Sequence, residues 1–207
     1  MDAGLERLRG KAIPVVRSES TEQARKLSGW LIQGGLTILE ITTTVPGHAD
    51  LVAELAADSR LLVGTGTVLD AATAQTAVEA GCRFLVSPCL VPEVIAVGQA
   101  AGVPVVPGAA TPTEVLTAHR AGAAAVKLFP AEQLGGPSFL KAVRSVLPEV
   151  LLIPTGGIAL ERVSDYFAAG AFAVGLGSQL ADAREIAADA RDQILARAVR
   201  LAEGDTP

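Results

Sequence analysis

The stretch "AGAAAVKLFP" (residues 121–130) shows the pattern that recurs along the chain, a helix end followed by a short apolar strand. Its Ala-Gly pair predicts the end of a helix, because glycine accepts the left-handed turn that releases the chain. The apolar run after it predicts a short buried strand, interrupted by one lysine, Lys127. The same order of helix, glycine and apolar run recurs, with helix-ending glycines at Gly35, Gly81, Gly102, Gly122 and Gly170.

Short runs rich in Val, Ile and Leu predict eight strands, at residues 12–16, 36–42, 61–66, 83–87, 103–108, 124–129, 150–157 and 172–178. The runs are apolar on both faces, as is typical of buried parallel strands. Helical segments lie between them, with N-caps expected at Ser20, Asp70 and Thr111. Eight βα units nearly exhaust the chain, which favours an α/β fold of the (β/α)₈ TIM barrel type; a doubly wound open sheet is the alternative.

Composition limits the partners and the compartment. Seventeen basic and 22 acidic residues leave a net charge of −5 without any basic block, which argues against nucleic acid and anionic membranes. No apolar stretch is long enough for a signal peptide or a transmembrane helix. Two cysteines and two histidines do not make a metal cluster, so we expect no metal or cofactor and a cytoplasmic location. We expect a single domain over residues 1–207 with a frayed C-terminus, "RLAEGDTP".

Two charged residues stand near strand ends, where barrels build their active sites. Burial disfavours the charged form of an amine, and a neutral amine is a nucleophile. Placing Lys127 inward sends its apolar neighbours outward, and placing Glu40 inward does the same on the second strand. Both strands are even-numbered, so the two side chains are expected to face one another across the barrel mouth. The alternatives are a structural ion pair, or a lysine that reaches out to water.

Glycines after the last two strands form a second group of candidates. "PTGGI" (154–158) follows strand seven and "GLGS" (175–178) follows strand eight. Many barrels bind phosphate at these two positions through backbone N–H groups, and glycine lets the backbone approach the anion. The pair predicts a phosphorylated substrate, with candidates Thr155, Gly156, Gly157, Gly177 and Ser178.

Six motifs together resemble the bacterial KDPG/KHG aldolases, which are class I aldolases of 2-keto-3-deoxy-6-phosphogluconate and 4-hydroxy-2-oxoglutarate. The motifs are "LEITTTVP" (39–46), "GTGTV" (64–68), "SPCL" (87–90), "KLFPAE" (127–132), "PTGGI" (154–158) and "GLGS" (175–178). They occur in the family's order, and the similarity runs from about residue 12 to residue 200.

The resemblance implies a lyase without cofactor, in which Lys127 forms a Schiff base with the substrate and Glu40 is the general acid and base. It implies that the pyruvyl pocket is shaped by Arg17, Thr67, Pro88 and Phe129. It also implies phosphate contacts by Gly156, Gly157 and Ser178, a pyruvate product and a homotrimer.

The chain departs from part of the family at Thr44, where some members carry an arginine. We expect Arg17, after the first strand, to make the anion contact in its place. Related 6-phosphogalactonate aldolases share most of the motifs, so the preferred sugar acid stays open. Two other functions also stay open: a phosphosugar isomerase or epimerase that uses Glu40 without covalent chemistry at Lys127, and a phosphate-ligand sensor with a structural ion pair.

Overall fold

Strands and helices alternate through residues 3–204, the part of the chain that the computed structural model describes. The strands are β1 Ala12–Val16, β2 Ile38–Thr42, β3 Leu62–Gly66, β4 Leu85–Val86, β5 Val105–Val106, β6 Gly108–Ala109, β7 Val126–Leu128, β8 Leu152–Pro154 and β9 Val174–Leu176. The helices are α1 Ala3–Glu6, α2 Thr21–Gln33, α3 His48–Ala56, α4 Ala71–Glu79, α5 Pro92–Ala101, α6 Pro112–Arg120, α7 Gly136–Val146, α8 Val163–Ala168, α9 Ala183–Ala187 and α10 Arg191–Gly204. A 3₁₀ turn, Leu160–Arg162, precedes α8.

Every strand pair is parallel, in the orders β5-β4-β3-β2-β1-β9 and β6-β7-β8. A parallel bridge between Thr155 and Gly175 connects β8 to β9. The fifth apolar run, predicted as one strand, is instead divided into β5 and β6 at Pro107, which has no N–H to give to a sheet. The other seven runs each contain one strand, so the alternating parallel pattern is confirmed.

Local signals act at the helix ends as predicted. The side chains of Ser20, Asp70 and Thr111 each accept a hydrogen bond from a backbone N–H in the first turn of the following helix. The five helix-ending glycines all have positive φ, from +67° to +94°. The N-caps set where these helices begin, and the glycines set where the helices end and the next strand follows.

Two apolar clusters separate the inside of the curled sheet from its outside. The inner cluster takes one or more side chains from successive strand segments, among them Ile13, Ile38, Leu62, Phe84, Val106 and Ile153. The outer cluster packs the opposite faces of the same strands against the helices. The fold is thus an α/β fold with a curled parallel sheet whose concave side is filled by side chains.

The C-terminal segment that is expected to fray, residues 200–207, is described in part. Helix α10 continues through residues 200–204 of the segment expected to fray, with Leu201 buried. Residues 205–207, the rest of that segment, lie outside the described residues. Within residues 3–204 no helix combines the length and the apolar character that a bilayer crossing requires.

Candidate active site

Lys127 and Glu40 meet at the carboxyl end of the curled sheet. Nζ of Lys127 lies 3.9 Å from Oε1 of Glu40, and the two side chains are 9% and 5% exposed. Leu39, Ile41, Val126 and Leu128 belong to the outer cluster, so the predicted inward orientation of both charged residues is confirmed. Two ionisable groups this close in a buried setting are positioned to exchange a proton directly or through one water.

Gly66, the last residue of β3, makes room for the carboxylate of Glu40. A Cβ atom on Gly66 would lie 2.6 Å from the carboxyl carbon of Glu40 and would collide with Oε1. That oxygen is buried and has no hydrogen-bond partner among residues 3–204. A buried carboxylate oxygen without a partner is costly, and it is available to a ligand that enters the site.

The floor beneath the pair is apolar. A cavity of about 10 Å³ separates the pair from the inner cluster, and its walls include Phe84, Val86, Val106 and Ile153. Above the lysine, the ring centroid of Phe129 lies 5.3 Å from Nζ, and Phe129 is 38% exposed. The amine therefore stands between an apolar floor and a partly exposed aromatic ring at the mouth.

Arg17 is held beside the mouth by two threonines. Its Nη1 donates to Oγ1 of Thr44 at 3.2 Å, and its Nη2 donates to Oγ1 of Thr67 at 3.3 Å. Thr67 has a φ of +62°, an outlier for a β-branched residue, and its carbonyl accepts a hydrogen bond from Oγ1 of Thr43. Arg17 is exposed and makes no ion pair within the described residues, so its charge is available to an anion.

Pro88 and the glycine loops complete the predicted set. Pro88 is half-buried after β4, with its carbonyl against Gly108. Thr155 is buried and packs on Gly175 of β9, so the residue that follows β8 contacts the neighbouring strand. Gly156 lies against the ring of Phe129, so the first of these loops borders the lysine. Gly157 is exposed on the same loop.

Gly177 and Ser178 follow directly after β9. Gly177 has open space where a Cβ would stand, and Ser178 is exposed. Ser178 lines a surface pocket of about 320 Å³ whose other walls include Glu161 and Asp182. The parallel bridge between Thr155 and Gly175 joins the ends of the two strands that carry these loops.

Two features of the site escaped the sequence analysis. Phe84 forms part of the floor, and its ring occupies the space that the missing side chain of Gly64 leaves. Glu132, the last residue of the motif "KLFPAE", joins Arg162 and Tyr166 in a hydrogen-bonded group beside Gly157. Glu132 lies within a motif that carries the family resemblance, but no sequence pattern indicates a role for it or its partners about thirty residues away.

Comparison with known proteins identifies the class. The family model described as KDPG and KHG aldolase matches residues 5–197. A 2-dehydro-3-deoxy-phosphogluconate aldolase of Treponema pallidum is 39% identical over 193 residues, which cover 93% of this chain and 91% of that protein. A 2-dehydro-3-deoxy-6-phosphogalactonate aldolase of Escherichia coli is 33% identical over 171 residues, 81% of this chain and 83% of that protein.

A solved structure agrees with these relatives. It is the KDPG aldolase of Legionella pneumophila, with pyruvate captured at low pH as a covalent carbinolamine intermediate. It aligns with a TM-score of 0.84 and 30% identity, over 95% of this chain and 96% of that one. The chain belongs to the KDPG and KHG aldolase family, whose named relatives are aldolases and hence lyases.

Proposed function

We propose that this protein is a class I aldolase that cleaves 2-keto-3-deoxy-6-phosphogluconate to pyruvate and glyceraldehyde 3-phosphate. The observation that carries the proposal is the buried pair of Lys127 and Glu40, 3.9 Å apart at the carboxyl end of the sheet. In a purely structural ion pair, both carboxylate oxygens of Glu40 would be expected to accept hydrogen bonds. Oε1 is instead buried without a hydrogen-bond partner among the described residues. The aldolase names of the relatives support the same reaction.

The chemistry begins with the amine. The neutral Nζ of Lys127 adds to the C2 ketone, and Glu40 moves protons so that the carbinolamine loses water and becomes an iminium ion. The C4 hydroxyl then gives its proton to Glu40, through one water. The C3–C4 bond breaks, and its electron pair moves toward the iminium to form an enamine while the aldehyde leaves. Protonation of the enamine at C3 and hydrolysis release pyruvate and restore Lys127.

The surrounding residues would hold the two ends of the substrate. We assign the pyruvyl carboxylate to Arg17, which Thr44 and Thr67 orient, because a guanidinium matches a carboxylate with paired N–H groups. Pro88 and Phe129 would form the walls of the pyruvyl pocket. We assign the phosphate to backbone N–H groups near Gly156 and Gly157, with Ser178 and its neighbour Gly177 approaching from the next loop. We also assign Thr155, which directly precedes Gly156, to the substrate contacts.

The galactonate epimer is the second candidate substrate. The chain is also similar to a 2-dehydro-3-deoxy-6-phosphogalactonate aldolase, and Thr44 stands where some family members carry an arginine. We propose the gluconate as the preferred substrate and 4-hydroxy-2-oxoglutarate as a slow one. Pyruvate release from the two epimers, measured side by side at equal concentration, tests the choice. A higher kcat/KM with the galactonate would reverse the assignment, and release from neither epimer would contradict the proposed function.

We further propose that the sheet closes into a single (β/α)₈ barrel domain, with β5 and β6 acting as one strand interrupted at Pro107. The bridge between Thr155 and Gly175 supports closure on one side. On the other side, the Ala124 N–H donates to the Val105 carbonyl at 3.0 Å and the Lys127 N–H donates to the Pro107 carbonyl at 2.9 Å. These bonds continue the ladder across the break.

Assembly and location complete the proposal. We propose a homotrimer, which the exposed apolar side chains of Leu69 and Val146, 53% and 66% exposed, support as surfaces for a partner copy. We propose a cytoplasmic location, supported by two cysteines that are both free.

A further inference from the structure

Glu132 is the centre of a charged group that joins two loops of the candidate site. Its carboxylate accepts hydrogen bonds from Nη1 of Arg162 at 3.1 and 2.9 Å and from the hydroxyl of Tyr166 at 2.7 Å. Glu132 lies five residues after Lys127, in the loop after β7. Arg162 and Tyr166 belong to the 3₁₀ turn and helix α8, which follow the loop after β8.

The backbone of the same residue fixes the glycine loop. The Glu132 N–H donates to the Gly156 carbonyl at 3.2 Å, and the preceding N–H, of Ala131, donates to the Thr155 carbonyl at 2.8 Å. The peptide between Gly156 and Gly157 is trans, so its N–H points away from the side on which its carbonyl is held. Anchoring the Gly156 carbonyl therefore also sets the direction of the Gly157 N–H, which finds no backbone acceptor in residues 3–204.

Packing makes this connection tight. A Cβ on Gly157 would lie 3.1 Å from Cβ of Glu132, so the loop rests directly on the residue that carries the carboxylate. Tyr166 is fully buried, and burial together with the hydrogen bond to Glu132 raises the pKa of its hydroxyl above the ordinary value. The hydroxyl therefore stays protonated and remains a donor. The Glu132 side chain is 24% exposed, which leaves its bonds partly shielded from solvent.

We propose that Glu132, Arg162 and Tyr166 are positioning residues that hold the Gly156–Gly157 loop in the conformation that binds the substrate's phosphate. The inference rests on the proposed function, because it assigns that loop to the phosphate. The three side chains need not touch the substrate. Their effect is to hold the backbone N–H groups in the direction of the phosphate subsite before the anion binds. The loop then loses less conformational entropy on binding.

Conservative variants measured on two substrates test the proposal. Tyr166→Phe removes one hydroxyl and keeps the buried ring, and Arg162→Gln removes the paired N–H donors. Each is expected to raise KM for 2-keto-3-deoxy-6-phosphogluconate and the inhibition constant of inorganic phosphate about tenfold, the equivalent of one hydrogen bond. The changes in kcat and in kcat/KM for 4-hydroxy-2-oxoglutarate, which has no phosphate, are expected to be much smaller. Arg162→Lys should recover part of the loss.

A surface ion pair of similar length provides the matched control. Arg25 lies 2.9 Å from Glu54 between α2 and α3, and Arg25→Gln should change neither substrate's kinetics. Equal losses of kcat/KM with both substrates, or no loss with the phosphorylated one, would overturn the assignment of Glu132, Arg162 and Tyr166 as positioning residues. If Arg162→Gln fails to fold, Tyr166→Phe decides. If the wild-type protein cleaves both substrates and the variants affect both equally, only the positioning role is refuted. If the wild-type protein cleaves neither substrate, the proposed function is refuted and the positioning role with it.

Discussion

Gly66 lies against the carboxylate of Glu40, and a Cβ atom on the glycine would stand 2.6 Å from the carboxyl carbon. The position of the carboxylate beside Lys127 therefore depends on a residue in the neighbouring strand that has no side chain. Because φ at Gly66 is not in the left-handed region, alanine fits the backbone there, and the three atoms nearest to its methyl group all belong to Glu40.

Gly66→Ala is expected to lower kcat about 10- to 1,000-fold, because the displaced carboxylate no longer meets the reacting hydroxyl. Steady-state kinetics and a thermal melt together measure the effect. Gly29→Ala is the control: Gly29 lies in α2 with open space around it, and alanine there should stabilise the helix by about 0.5–1 kcal/mol without changing kcat. Full activity in Gly66→Ala would show that Glu40 need not occupy its present position.

Glu40→Gln keeps the shape of the side chain and removes the carboxylate that we propose as the general acid and base. Turnover is expected to fall roughly 10²–10⁴-fold, the usual scale for the loss of a general acid and base, with a smaller change in KM. Initial rates over a range of substrate concentrations separate the two parameters. A raised KM with kcat unchanged would make Glu40 a binding residue.

Phosphate should contribute strongly to substrate selection. Each charge-assisted hydrogen bond is worth about 1.5–3 kcal/mol, so losing two or three lowers kcat/KM by about 10²–10⁶-fold for a substrate without the phosphate. Ser178→Ala and Gly157→Val should reduce this difference by weakening only the phosphorylated substrate. An equal decline of kcat/KM with 4-hydroxy-2-oxoglutarate would place the phosphate elsewhere. Ser178→Ala is the cleaner test, because valine at the φ of +75° of Gly157 would also strain the backbone.

The two cysteines should differ sharply in reactivity. Cys82 is buried, and burial raises the pKa of its thiol to about 12, whereas Cys89 is exposed in the loop after β4. The reactive thiolate of Cys82 is therefore scarce at pH 8, and an alkylating reagent at that pH should modify one thiol per native chain and both after denaturation. Peptide mapping that finds Cys82 modified in the native protein would contradict the described packing.

Much of the fold follows from local signals. Apolar runs, caps and helix-ending glycines indicate where strands and helices lie because each depends on neighbouring residues alone. The period of two in a strand also predicts that Lys127 and Glu40 point inward. The break at Pro107 was the exception, although the residue's missing N–H was visible in the sequence.

The rest of the site depends on contacts between distant residues. The fit of Gly66 to Glu40 and the bonds of Glu132 to Arg162 and Tyr166 arise from packing between different βα units. Periodicity carries no information on such pairs. The same holds for Arg17, whose partners Thr44 and Thr67 come from two other strand ends.

Covalent trapping of pyruvate tests the assignment of Lys127 most directly. Wild-type protein treated with borohydride in the presence of pyruvate should gain one stable adduct per chain, mapped by mass spectrometry to Lys127, because reduction fixes the imine. Lys127→Ala, and Lys127→Arg with its permanently protonated guanidinium, should form no adduct and show no retro-aldol activity while their melting curves stay cooperative. An adduct on another lysine, or a Lys127→Ala variant that keeps even a few per cent of wild-type activity, would contradict the assignment of Lys127 as the nucleophile.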